Sequence, residues 1–447
     1  MSRKASSKQG TRQYFGRQSG LGILLLGLVL GTSGAASGKS SPLPEDSLSP
    51  PAGLSAEDWK KISSSLPKAD IKALNTGVTL RETLSPRAGS EKNYLYYGES
   101  IALSSNTVVV GVPYEDGDAA LGDISGTKGT SQGAVYIYER HGNGWQQTTR
   151  LTPSQSATSP NEWMTVFEFG SRVVLQGNTL LISSPRGTCS SIVTCPSGGT
   201  TTQGGLVFVY EKINTQWQRQ QVLPAPAAVQ DYFGRSIALH GDSMLVSGRL
   251  PDGSSDIYSY SRTNANWFHQ STLPRPAGQL ASGYSDSLAL FGNRAVAGSP
   301  NDGPGGAVYS FNRSGTSWTY GQKITPPGTV GGAPINDAAF GSALKLSATD
   351  LIVSAPRMQG CSPGFCMTGY GGVFAYRWNS GTSQWEMKIT WGGSTSQEYP
   401  GGIELLTVGG NDVLAMTRFQ SSTQHVDFYY SNTSSTGWNS SAFATPE

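Results

Sequence analysis

The sequence predicts an all-β chain built from repeated four-stranded units, and three observations carry that prediction. Apolar strands bounded by glycine recur in a fixed order, a tryptophan closes each set, and the composition suits short strands and tight turns. Glycine numbers 57, charged residues make up 14% and aromatics 10%. Such a mixture is poor in the Ala, Leu, Glu and Lys that fill helices and rich in strand and turn formers. Full disorder is excluded by the regular Val-Ile-Leu-Tyr runs.

The N-terminus comes first. Arg3, Lys4, Lys8, Arg12 and Arg17 precede the apolar run Leu21–Leu30, and the small residues Ser33-Gly34-Ala35-Ala36 follow it. This order predicts a secretory signal over residues 1–36. The run is shorter than the roughly 20 residues a spanning helix needs, and no later segment is apolar enough to span a membrane. Residues 37–56 read as a Ser/Pro/Gly linker. A short helical segment is expected within 57–77, with Ser55 as its N-cap. The formal charge is +2, and without the basic leader the body is about −3. Nucleic acid is therefore excluded as a partner. Gly34–Ser40 imitates a phosphate-binding loop, but it has one residue too few between its glycines and no strand before it.

From residue 78 to 447 the sequence repeats. Each repeat opens with an aromatic-glycine pair and a short strand, as in Tyr97-Gly98, Phe169-Gly170, Phe233-Gly234 and Phe340-Gly341; Tyr284-Ser285 and Pro400-Gly401 are degraded copies. A β-branched strand ending in small residues follows, often with proline, as in Val108–Pro113, Leu180–Pro185, Ala295–Pro300 and Leu351–Pro356. Next comes a glycine and an alternating strand: Gly133–Tyr138, Gly205–Tyr210, Gly306–Phe311 and Gly372–Tyr376. Period-two alternation marks a strand with two different faces. The last piece starts at Trp145, Trp217, Trp267, Trp318, Trp385 or Trp438, at spacings of 50 to 72 residues. These spacings match four-stranded propeller blades with variable loops.

The four pieces together resemble the FG-GAP repeat of integrin α-subunit heads over about 350 residues. The resemblance implies a β-propeller of six blades, with a seventh degenerate blade as the alternative. The segment 78–84, within Val78–Pro86, has the ending of a fourth strand with no blade before it. It is therefore expected to supply the outer strand of the last blade and close the ring, which removes exposed edges.

Insertions at 114–132, 186–204 and 357–370 within repeats, and at 85–96, 152–167 and 325–338 between them, fall on one face of such a ring. Long loops on a rigid scaffold favour a binding face. Arg186, Arg357 and Arg418 are expected to share a slot after the second strand and to form a basic rim suited to carboxylate or sulfate, or else to bond neighbouring carbonyls. Tyr114, Trp163 and Tyr370 are candidates for stacking on a sugar or peptide, with packing under the loops as the alternative. Cys189 with Cys195, and Cys361 with Cys366, are expected to form two local disulfides. Their spacing and the absence of a nearby histidine argue against zinc.

Enzymatic signals are sparse. His141, His240, His269 and His425 are scattered over different repeats. Gly129–Gly133 matches GxSxG without the strand-turn-helix setting of a nucleophile elbow. No carboxylate pair of the glycosidase kind recurs. The DxDxDG calcium loop of integrin repeats is missing; Glu115, Asp116, Asp118 and Asp123 cluster in another loop, where a solvated turn is the better reading than a calcium site. No cofactor is expected. The sequence thus predicts a non-enzymatic, secreted, periplasmic or cell-surface binding or adhesion protein, monomeric, recognising an extracellular protein or glycan. The alternatives are a polysaccharide hydrolase or lyase on a propeller scaffold, and a structural part of a cell-envelope assembly.

Overall fold

The computed structural model describes Leu84 and residues 96–104, 106–115, 132–142, 144–153, 164–189, 202–276, 285–327, 329–330, 333–334, 338–358, 360–362, 365–367, 371–392, 397–398, 402–408, 411–420, 423–431 and 438–441. The expected signal, linker and helical segment lie outside these residues. Among the described residues every regular element is a strand.

Five four-stranded antiparallel sheets and one five-stranded sheet follow one another along the chain. The first holds Ser100–Leu103, Thr107–Val112, Ala134–His141 and Gly144–Leu151. The second holds Val173–Gln176, Thr179–Ser184, Leu206–Ile213 and Gln216–Pro224. The third holds Ile237–His240, Ser243–Arg249, Ser255–Thr263 and Asn266–Thr272. The fourth holds Ser287–Phe291, Arg294–Ser299, Ala307–Ser314 and Ser317–Ile324. The fifth holds Leu344–Leu346, Asp350–Ala355, Gly372–Asn379 and Gln384–Gly392, and the sixth Ile403–Val408, Asn411–Gln420, Thr423–Ser431 and Trp438–Ser441 with the short Gln397–Glu398. Each of these is a meander, and the first strands of consecutive sheets touch one another. The architecture is all-β and propeller-like.

Alternation along the third strands explains the stacking. Phe208 and Tyr210 face the first sheet, whereas Val207 and Val209 face the third. Phe374 and Tyr376 likewise face the fourth sheet, and Val373 and Ala375 the sixth. Period two therefore separates an aromatic face from an aliphatic one, and neighbouring sheets bury both. A bulge between the third and fourth strands recurs at Ile137/Tyr138, Val209/Tyr210, Ser259/Tyr260, Ser310/Phe311 and Ala375/Tyr376. Bulges of this kind increase local twist.

The aromatic-glycine pair and the glycine before the third strand meet across sheets. The Phe169, Phe233 and Phe340 N–H groups donate to Gln132, Gly204 and Gly305 carbonyls at 2.9, 2.6 and 2.9 Å. The next residue, Gly306, has φ 88° and lies so close that a Cβ there would sit 2.5 Å from the Phe340 carbonyl oxygen. The repeat tryptophans also have a packing role. Trp267 and Trp318 are buried beneath Arg262 and Arg313, at 5.6 and 5.4 Å from guanidinium carbon to ring centroid, a favourable cation–π geometry.

Apolar residues within one position of the ends of fourth strands, Leu151, Leu223, Leu273, Ile324 and Trp391, are each buried in the cluster shared with the following sheet. Leu84 is buried against Val108, Val110, Tyr136 and Tyr138 of the first sheet.

Candidate functional site

The site lies along the edge where first strands begin and second strands end. Two slots meet there in the first, second, third and fifth sheets: the residue before the aromatic-glycine pair, and a residue at or just after the end of the second strand. The former is held at positive φ in Tyr96, Glu168, Tyr232 and Ala339 (74°, 59°, 57° and 53°). Left-handed backbone at non-glycine residues is uncommon, and here it aims these side chains along the edge.

In the first sheet the slots bring Tyr96 and Tyr114 together, with ring centroids 5.1 Å apart. In the second, Arg186 Nη1 lies 3.4 Å from Glu168 Oε1. Arg186 also reaches 5.8 Å from the Tyr232 ring centroid, which joins the second sheet to the third. Arg249 and Arg235 stand 5.0 and 5.9 Å from that centroid. Arg249 donates from Nε and Nη2 to Asp231 Oδ1 and Oδ2 at 2.7 and 2.6 Å. Arg235 Nε lies 3.1 Å from Asp286 Oδ1 in the fourth sheet.

Burial and neighbouring charge set the protonation of these groups. Burial raises the Glu168 pKa, and Arg186 opposes that shift. Burial first and Glu168 second raise Tyr114. Tyr232 and then Glu168 stabilise the Arg186 cation and raise its pKa.

Between the third and fourth sheets this edge opens into a cleft of about 230 Å³, lined by Tyr232, Arg235, Ser247, Arg249, Ser285 and Asp286, among others. Ser285 is the unusual member. It occupies the glycine slot of the repeat, since Ser287 Oγ donates to the Gly341 carbonyl at 2.7 Å as Ser100 Oγ does to Gly170. Its φ is 62°, it is 1% exposed, and among the described residues its Oγ has no hydrogen-bond partner.

The sequence-predicted residues distribute unevenly. Arg186 and Tyr114 belong to this edge, and Arg357 occupies the corresponding turn of the fifth sheet, its N–H donating to the Ala338 carbonyl at 3.1 Å. Arg418 does not share their slot: it lies within the second strand Asn411–Gln420, opposite His425. The second strands of the first, second, fourth and fifth sheets stop just before Pro113, Pro185, Pro300 and Pro356, whereas no proline stops the sixth, so it runs on. Glu115 is buried, accepting from the Tyr136 hydroxyl at 3.1 Å and Arg150 Nη2 at 2.6 Å. It is thus the centre of an internal polar cluster, and a second one joins Tyr309, Asp302 and Lys323. Asp116, Asp118, Asp123, Trp163, Tyr370 and Cys195 lie outside the described residues. Cys361 and Cys366 are directly opposed in a two-stranded hairpin, and Cys189 pairs in register with Met164. No group of metal-ligating side chains is found among the described residues.

Sequence reasoning missed Glu168, Tyr232, Arg235, Arg249, Ser285 and Asp286. The signal available was position: each flanks a recognised motif instead of standing in a long loop.

No family model and no curated protein matches the chain. Solved structures do resemble it. One is a Bacteroides uniformis protein provisionally named a 6-phosphogluconolactonase (12% identity, TM-score 0.47, 78% of this chain and 85% of that one). Another is a Lactobacillus plantarum protein (14%, 0.46, 78% and 85%). A third is the periplasmic gluconolactonase of Pseudomonas aeruginosa (15%, 0.44, 78% and 86%). Where these neighbours carry an activity in their names it is that of an enzyme, and the expectation of a non-enzymatic adhesion or binding protein is withdrawn. Identities this low transfer no reaction and no substrate to this chain.

Proposed function

We propose that the protein is a hydrolase acting on a small polyhydroxylated molecule held in the cleft between the third and fourth sheets. The observation that carries this reading is the cleft itself. It is small and polar, and it converges two guanidiniums and a carboxylate, those of Arg235, Arg249 and Asp286, on one space. Concave sites with a few convergent polar groups are where small molecules bind.

The chemistry these groups can perform is addition of water. Asp286 takes a proton from the attacking water as its oxygen bonds to the electrophilic carbon, the bond from that carbon to its leaving oxygen breaks, and the proton passes to the leaving oxygen. Arg235 and Arg249 stabilise the negative charge that develops on oxygen. The test is proton release in a pH-stat with purified protein on cyclic sugar esters, and reducing-sugar release from glycosides. Turnover that is lost in Asp286→Asn and Arg249→Ala but kept in Arg357→Ala supports the assignment. Equal turnover in all three variants, or none in the native protein, removes it.

The same reading includes the finer architecture. The six sheets are the blades of an FG-GAP-type ring, and the segment ending at Leu84 closes it beside the last blade. Support comes from Leu84, which packs on the first sheet as Leu151 packs on the second. Secretion through residues 1–36 and disulfides within the pairs Cys189/Cys195 and Cys361/Cys366 complete the proposal. The cross-strand register of Cys361 with Cys366 supports the second bridge.

A further inference from the structure

We infer that the substrate of the cleft is a sugar bearing an anionic group, and that Arg186 selects it by holding that group. This rests on the small-molecule hydrolase reading above and specifies its substrate class.

Charge along this edge is balanced in number but not in position. Arg186 stands against Glu168, Arg235 against Asp286 and Arg249 against Asp231. Those arginine side chains are 58%, 47% and 43% exposed, and their carboxylate partners only 13%, 14% and 28%. Each pair thus keeps its anion inside and turns its cation to solvent. The cleft lining itself sets Arg235 and Arg249 against Asp286 alone. A ligand arriving from solvent therefore meets guanidinium first. Without its basic leader the chain carries about −3, so this is a local cationic surface on an acidic body.

Tyr232 gathers the three cations. The guanidinium carbons of Arg186, Arg235 and Arg249 lie 5.8, 5.9 and 5.0 Å from its ring centroid. Like charges held around one ring repel, and an anion placed among them relieves that repulsion. Arg249 commits Nε and Nη2 to Asp231. Its planar head therefore points Nη1 away from that carboxylate, as a donor for a ligand oxygen. Guanidinium is the side-chain group that best matches the oxygens of carboxylate and phosphate.

Position assigns the selecting role to Arg186. It reaches Tyr232 from the second sheet and stands outside the cleft lining, whereas Asp286 enters from the fourth sheet. Tyr232 of the third sheet lies between them. A substrate with its reacting carbon at Asp286 places its anionic group at the opposite end, on Arg186 and Arg249, away from the one carboxylate of the cleft. Burial also raises the Glu168 pKa and so disfavours its anion. The charge of Arg186 is left the less offset.

The experiment is calorimetric titration of the full chain with glucose, galactose and mannose, with the uronates of each, and with their 6-phosphates. Arg186→Gln, Arg186→Lys and Arg357→Gln are titrated beside the native protein and melted in parallel. At least one anionic sugar is expected to bind about ten-fold or more tighter than its neutral parent at about 50 mM salt, with a smaller advantage at about 500 mM. Arg186→Gln is expected to cut that preference about five-fold or more. Arg186→Lys, which keeps the charge, and Arg357→Gln, on the fifth sheet, are expected to retain most of it. A preference confined to the uronates, or to the 6-phosphates, supports the inference and identifies the anion. A neutral parent that binds as tightly as both its anions overturns the inference and leaves the hydrolase reading standing. An anion preference undiminished in Arg186→Gln overturns the role of Arg186. Binding of none of the nine compounds overturns the inference, while turnover in the pH-stat decides the hydrolase reading separately.

Discussion

The Phe340 N–H donates to the Gly305 carbonyl at 2.9 Å, across the junction of the fourth and fifth sheets. That bond ties the aromatic-glycine opening of one repeat to the glycine that precedes the third strand of the previous one. The two halves of the repeat signature are therefore two sides of one contact.

Gly306 sits at this contact. A methyl group there would strike the Phe340 backbone, and the φ of 88° disfavours any side chain. Gly306→Ala is expected to cost on the order of 2–4 kcal/mol, read as a fall in denaturation midpoint. Gly315 is the control: its φ is 60°, and nothing lies within 4 Å of a Cβ built on it. Gly315→Ala is expected to cost about 1 kcal/mol. Equal losses would show that backbone conformation, and not sheet approach, sets the need for glycine.

His240 makes one contact between the third and fourth sheets dependent on pH. The Gly292 N–H donates to His240 Nδ1 at 3.1 Å, which requires that nitrogen to be unprotonated. Burial first, and then Arg313, lower the His240 pKa below its ordinary value of 6.5. Below 6.5 the unfolded chain takes up the proton before the folded one does, so stability declines as pH falls through the lowered folded pKa. Denaturation midpoints between pH 7.5 and 5 are expected to drop more steeply for native protein than for His240→Gln. Parallel curves would remove His240 as a contributor.

Leu84 tests the closure. Leu84→Ala is expected to lower stability by about 2–4 kcal/mol, comparable to Leu151→Ala at the matching position. A loss below about 0.5 kcal/mol would mean that Leu84 is dispensable and that the ring is not held shut there.

Much of the fold was legible because its determinants are local. Tyr97-Gly98 and Gly205–Tyr210 announce strands by glycine and alternation, and Trp267 and Trp318 each mark the start of a fourth strand. Arg186 and Arg357 were legible through the proline that ends the strand before them. Arg418 misled because its strand lacks that proline. The cleft was harder to see. Tyr232, Arg235 and Arg249 are brought together by one sheet's edge, and Asp286 joins them only when the next sheet packs alongside. Ser285 looked like decay of the motif. The functional class was misjudged for a related reason: long loops drew attention to a broad binding face, whereas the convergent groups lie at strand ends.

Hydrogen–deuterium exchange of the native protein, with and without a cyclic sugar ester that it turns over, tests the site most directly. Protection is expected in peptides covering 231–236, 247–255 and 285–301, which contain Tyr232, Arg235, Arg249, Ser285 and Asp286. Protection confined to 186–204 and 357–370, with those three segments unchanged, would place the ligand on the insertion loops and contradict a catalytic cleft between the third and fourth sheets.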